Sequence, residues 1–193
     1  MSSVPVLPDE EGSVISGLDT EDKSVHEGTV TCDIRFRAIA PDSGELIGLI
    51  MNVEAQNDFY PGYPLTKRDI YYCNRMISSQ YGREFTGSHY EKLKKVYSIW
   101  ICMNPPKNRE NTITRYHLTE EHLVGEAVEL VQNYDLLSIV MLCLGGPDGE
   151  NYDGVLRMLD VLLSHETSEA EKRRILQDDY DIQMTRTMES EVS

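Results

Sequence analysis

The residues best suited to chemistry stand in two short strings: Asp33 in TCDIRFRA, and Glu54 with Gln56 in MNVEAQND. Alternation along a strand sends Glu54 and Gln56 to one face and Val53 and Ala55 to the other. In the first string Asp33, Arg35 and Arg37 share a face, opposite Cys32, Ile34 and Phe36. Folded together as a hairpin, the two strings offer Asp33, Glu54 and Gln56 to one hard cation. Mg²⁺ favours such a set, one or two carboxylates completed by water and substrate phosphate. Ordinary solvated strand faces carry the same spacing, so the pattern alone leaves both readings open.

Several elements must position these residues. After a loose lead-in over 1–13, a short strand is predicted at 14–18, followed by the polar stretch LDTEDKSVHEG. A strand over 29–40, the turn string PDSGE and a returning strand over 45–56 form the hairpin, with Ile47, Leu49, Met51, Val53 and Ala55 as its apolar face. Pro64 suits the first turn of a helix that runs to about residue 81 and stops near Gly82. On that helix Arg68, Tyr72, Arg75 and Ser79 make one stripe, while Ile70, Cys73, Met76 and Ile77 supply apolar contacts. VYSIWICM over 96–103 reads as a strand buried on both faces, and 112–118 and 134–146 as further strands. TEEHLVGEAVELVQ has helical spacing. A helix over 152–164 is expected to bury Val155, Leu156, Leu159, Leu162 and Leu163, and Ser168 with Glu171 reads as the capping box of a last helix.

At 193 residues the chain suits one domain, and 40% hydrophobic with 26% charged residues is globular composition. No stretch approaches a membrane span, and the start lacks the pattern of a signal peptide. Cys32, Cys73, Cys102 and Cys143 are widely separated in apolar contexts, which favours buried thiols in a reducing cytoplasm over disulfides or a zinc site. The net charge of −15, from 18 basic against 33 acidic residues, opposes a general basic footprint for nucleic acid. The basic residues concentrate over 60–115, where Lys67, Arg68, Arg75, Arg83, Lys92, Lys94, Lys95, Lys107, Arg109 and Arg115 stand. That segment is either a local phosphate-facing surface or simply solvated.

The run VEAQNDFYPGYPLTKRDIYYCNRMISSQYG, followed by KKVYSIWICMNPP, resembles the PD-(D/E)XK nuclease family transposases, relatives of the bacterial recombination-promoting nucleases. The likeness covers roughly residues 14 to 190. It implies an α/β fold, a restriction-endonuclease-like core with a central mixed sheet, a β-hairpin carrying the acidic site and flanking helices. It also implies a nuclease-like domain over 14–165 and a charged C-terminal helix and tail over 166–193. By resemblance Asp33 is the first acid, Glu54 the second, and Gln56 stands where the signature's lysine usually stands. The carbonyl of Ala55 joins Asp33 and Glu54 around Mg²⁺ or Mn²⁺, and the R-x-x-x-Y-x-x-R pattern of Arg68, Tyr72 and Arg75 contacts phosphate.

The function so implied is metal-dependent hydrolysis of DNA, with DNA as partner, no membrane, and a homodimer left open. The family's usual helix before the first strand is not evident, and DIQMTRTMESEVS reads like the middle of a longer relative. The rival expectation is therefore a shortened pseudo-nuclease that keeps the fold as an acidic interaction module.

Overall fold

A computed structural model describes residues 15–17, 21–24, 28–31, 34–42, 45–147, 152–164 and 167–182. The strands are β1 (Ile15–Gly17), β2 (Glu21–Ser24), β3 (Gly28–Thr31), β4 (Ile34–Asp42), β5 (Glu45–Gln56), β6 (Val96–Cys102), β7 (Thr112–His117) and β8 (Leu137–Cys143). The helices are α1 (Leu65–Ser78), α2 (Val131–Tyr134), α3 (Gly154–Leu163) and α4 (Glu169–Asp178). Six strands form one sheet in the order β1-β4-β5-β6-β8-β7, and β2 with β3 makes a separate two-stranded sheet. β4 and β5 are antiparallel, in register from Asp42↔Glu45 to Ile34↔Val53. Neighbours β5 and β6 are joined through α1, a helical crossover of the kind that parallel strands require. The result is the α/β class with a central mixed sheet and helices that the sequence implies.

The chain divides into two compact units, Met1–Ala55 with Tyr60–Trp100 and Thr114–Met141, and Gln56–Phe59 with Ile101–Ile113 and Leu142–Ser193. In the first unit Ile50, Leu65, Cys73, Met76, Phe85, Val96, Trp100, Ile139 and Met141 are buried. The buried stripe of α1 is Leu65, Asp69, Cys73 and Met76, so an acid interrupts an otherwise apolar seam. Ile70, expected inside, is 45% exposed. β6 alternates rather than burying both faces: Val96, Ser98, Trp100 and Cys102 are buried and the residues between them half-buried. Among the described side chains of β5, Ile50 and Glu54 are buried, Met51, Val53 and Gln56 half-buried and Ala55 exposed, so the buried ones there include an acid and not Met51, Val53 or Ala55 of the apolar face.

In the second unit Cys102, Leu142, Cys143, Leu144, Leu156, Val161 and Leu176 are buried. Asp153 caps α3 by accepting from the Gly154 N–H at 2.6 Å, and Ser168 caps α4 by accepting from the Glu171 N–H at 3.4 Å. Val155, expected inside α3, is 42% exposed. Cys73, Cys102 and Cys143 are buried; Cys32 lies outside the described residues.

Every described residue of the strand expected over 29–40 is extended, in β3 and then β4, with Cys32 and Asp33 between them outside the described residues; the polar stretch before it supplies β2, antiparallel to β3. One local expectation fails. The helix expected from TEEHLVGEAVELVQ is absent except for the single turn α2. Gly125 there adopts φ +68, and Leu123, Val124 and Val128 are all more than four-fifths exposed. Helical spacing without a surface to bury its apolar stripe does not stabilise a helix of this length.

Candidate active site

Glu54 lies near the end of β5 and is only 4% exposed. An isolated buried carboxylate is costly, so it needs positive charge beside it. α1 supplies one: Nη2 of Arg68 lies 3.8 Å from Glu54 Oε2. The guanidinium is anchored elsewhere. Its Nε donates to the Tyr72 hydroxyl at 2.9 Å, one helical turn on, and its Nη1 to the Tyr63 hydroxyl at 3.4 Å. It also stands 4.9 Å from the ring centroids of both Tyr72 and Trp100. Cation–π attraction and two hydroxyl acceptors therefore fix Arg68 beside the acid.

Beneath this layer is a second acid. Asp69 is fully buried. Its Oδ1 accepts from the Ser98 hydroxyl at 3.2 Å, and Ser98 Oγ accepts from the Trp100 indole N–H at 2.9 Å. Oδ2 of Asp69 has no hydrogen-bond partner among the described residues. Burial pushes its carboxyl up to about 8; the Ser98 hydrogen bond and Arg68 oppose the rise, and Glu54 adds to it. Burial likewise pushes the Cys73 thiol, one turn further along α1, up to about 12. Hydrogen bonds thus connect Asp69, Ser98 and Trp100, and ring contact continues the chain through Arg68 to Glu54.

Of the residues singled out by sequence, Glu54, Arg68 and Tyr72 come together. Arg75 is buried, and its Nη1 donates to the Tyr71 hydroxyl at 3.2 Å with the ring centroid at 5.9 Å. In the stripe of Arg68, Tyr72, Arg75 and Ser79, Arg75 is the buried member and the other three are half-buried. Gln56 belongs to the second unit, where its Nε2 donates to the Asp58 carbonyl at 2.6 Å. Asp33 lies outside the described residues; the described β4–β5 register starts at Ile34↔Val53, Ile34 being the residue that follows Asp33 in sequence. No group of three or more His, Cys, Asp or Glu poised for a metal occurs among the described residues. The sequence reading missed Asp69, Ser98 and Trp100. Asp69 had a signal, an acid at i+4 from Leu65 and i−4 from Cys73 on the buried stripe of α1.

A family model for PD-(D/E)XK nuclease family transposases matches residues 20–144. The chain belongs to this family. Among curated proteins and solved structures, nothing matches. The matched span of this PD-(D/E)XK protein runs from β2 through β8 and includes Asp33, Glu54, Gln56 and the whole of α1. PD-(D/E)XK nucleases generally use divalent metals. No described helix of this family member is long and apolar enough to cross a membrane.

Proposed function

We propose that this PD-(D/E)XK protein is a metal-dependent DNA endonuclease whose site is built on Glu54. The observation that carries the reading is a buried carboxylate with a guanidinium fixed beside it on an aromatic shelf. Asp33, Glu54 and the carbonyl of Ala55 are the proposed ligands of Mg²⁺ or Mn²⁺. The donors are hard oxygens, which suit these ions rather than softer metals. Asp69, buried with its Oδ2 unpartnered among the described residues, feels the charges of both Glu54 and Arg68, so a second carboxyl adjoins the proposed site. When bound, the ion supplies Lewis-acid polarisation of the phosphodiester and a lowered pKa for water.

The chain's own residues do the rest. Arg68 places a permanent positive charge next to Glu54, the service a lysine at position 56 would have given. Gln56 carries no charge; its amide can orient a water but cannot neutralise the transition state. Tyr63 and Tyr72 hold Arg68 in place with their hydroxyl oxygens, and Trp100 shields it from water on one face. Arg75, buried against Tyr71, braces α1 rather than touching phosphate. We place the nuclease-like domain over 14–165 in a cytoplasmic protein, with 166–193 as an appended helix and tail.

A second reading, a pseudo-nuclease serving as an acidic interaction module, is favoured by the Gln56 amide turned onto Asp58 and by the net charge of −15. Nicking of supercoiled plasmid separates the two. The nuclease reading expects cleavage with Mg²⁺ or Mn²⁺, none in chelator, and loss in Asp33→Asn. Faster cleavage by Gln56→Lys would show that position 56 still faces the reaction. No cleavage by either the wild type or Gln56→Lys gives the lead to the interaction module.

A further inference from the structure

Arg68 holds Glu54 less tightly than it holds its other partners. Nε and Nη1 make hydrogen bonds to Tyr72 and Tyr63, at 2.9 and 3.4 Å, whereas Nη2 stands 3.8 Å from Glu54, a charge contact beyond hydrogen-bond range. The guanidinium's seat is set by the Tyr72 and Trp100 rings. Trp100 is itself pinned through Ser98 to Asp69. Arg68 therefore keeps its position when Glu54 takes another cation. It also keeps its charge, so a divalent ion on Glu54 must sit near a fixed guanidinium. Glu54 is buried, and salt screens such a repulsion poorly. The Arg68 side chain is 27% exposed, which leaves it accessible to an anion from solvent.

We propose that Arg68 couples the two ligands of the site, holding down the cation affinity of Glu54 until a phosphodiester takes up its charge. This rests on the proposed nuclease reading, because it assumes that Glu54 binds the metal. A phosphate on Arg68 removes the repulsion, so the ion binds more tightly once nucleic acid is present. By linkage the ion raises affinity for the phosphodiester by the same factor. The arrangement keeps the site poorly loaded until substrate arrives, and it makes the arginine a determinant of metal binding as well as a substrate contact.

The test is calorimetric titration of the full chain with Mn²⁺, with and without a short phosphorothioate duplex that resists cleavage. The expected result is that the duplex tightens Mn²⁺ binding by wild type about tenfold, a typical coupling between linked sites. Arg68→Met and Arg68→Gln, both uncharged, are expected to bind Mn²⁺ about tenfold more tightly than wild type without duplex, and to gain little when it is added. Arg68→Lys, which keeps the charge, restores the wild-type dependence on duplex. Two neutral variants are used so that misfolding of one leaves the other to decide. Unchanged Mn²⁺ affinity in a folded neutral variant, or undiminished coupling, overturns the proposal. Glu54→Gln separates the two failures. If it abolishes Mn²⁺ binding while the Arg68 variants are neutral, only the coupling is wrong. If Mn²⁺ binding survives Glu54→Gln, the metal site itself is misassigned, and the coupling falls with it.

Discussion

Replacing Asp69 with asparagine is expected to make the protein less sensitive to rising pH. Folding carries this carboxyl from its ordinary 3.8 to about 8, chiefly through burial. The folded state therefore holds the proton across a range in which the unfolded chain has released it. Stability tied to that proton is complete below the unfolded value and is lost as pH climbs through the folded one. Each pH unit between those limits costs about 1.4 kcal/mol. From about pH 5 to about pH 7 the wild type should lose about 3 kcal/mol relative to Asp69→Asn. Asparagine keeps the shape and an oxygen for the Ser98 hydroxyl to reach, but it has no charge to bury. Urea unfolding of both proteins at several pH values, in chelator, measures the difference directly, and other titrating groups cancel between them. Parallel stability curves would refute the reasoning, because they would mean that Asp69 ionises in the folded protein as freely as in the unfolded one.

Trp100→Ala is expected to cost about 3–5 kcal/mol in the same unfolding assay, since it empties a fully buried site and strips Arg68 of one ring. Gly145→Ala should cost about 1–3 kcal/mol, because an added Cβ would meet Asn111 Oδ1 at 2.8 Å; wild-type stability in this variant would contradict the packing of the second unit. Ser168→Ala removes the cap of α4 and should cost about 1 kcal/mol, or less if that helix frays independently of the rest.

Much of the scaffold is legible in the sequence because its signals are local. β5 begins and ends where alternation and the PDSGE turn place it, and α1 begins at the residue after Pro64. The same signals mislead where tertiary contacts decide. Glu45–Gln56 has an apolar residue at every odd position from Ile47 to Ala55, yet its buried described side chains are Ile50 and Glu54, because Arg68 and its aromatic shelf supply a place for a carboxylate. The stripe through Arg68 and Arg75 follows helical spacing but ignores side-chain reach: Arg75 turns back one turn to Tyr71 and is buried. TEEHLVGEAVELVQ carries helical spacing but no partner surface, and Gly125 takes a left-handed conformation instead. The Asp69–Ser98–Trp100 network was invisible because it joins α1 to β6 across about thirty residues of sequence, and no local pattern records such a pairing.

The most direct test of the account is plasmid nicking by Glu54→Gln beside wild type, with Mg²⁺ and Mn²⁺. Glutamine keeps the size of the side chain while removing the charge that would hold the ion and pair with Arg68. The account predicts metal-dependent nicking by the wild type and its loss in Glu54→Gln, with both proteins folded. Undiminished nicking by Glu54→Gln would contradict it, because the chemistry would then lie somewhere other than the end of β5.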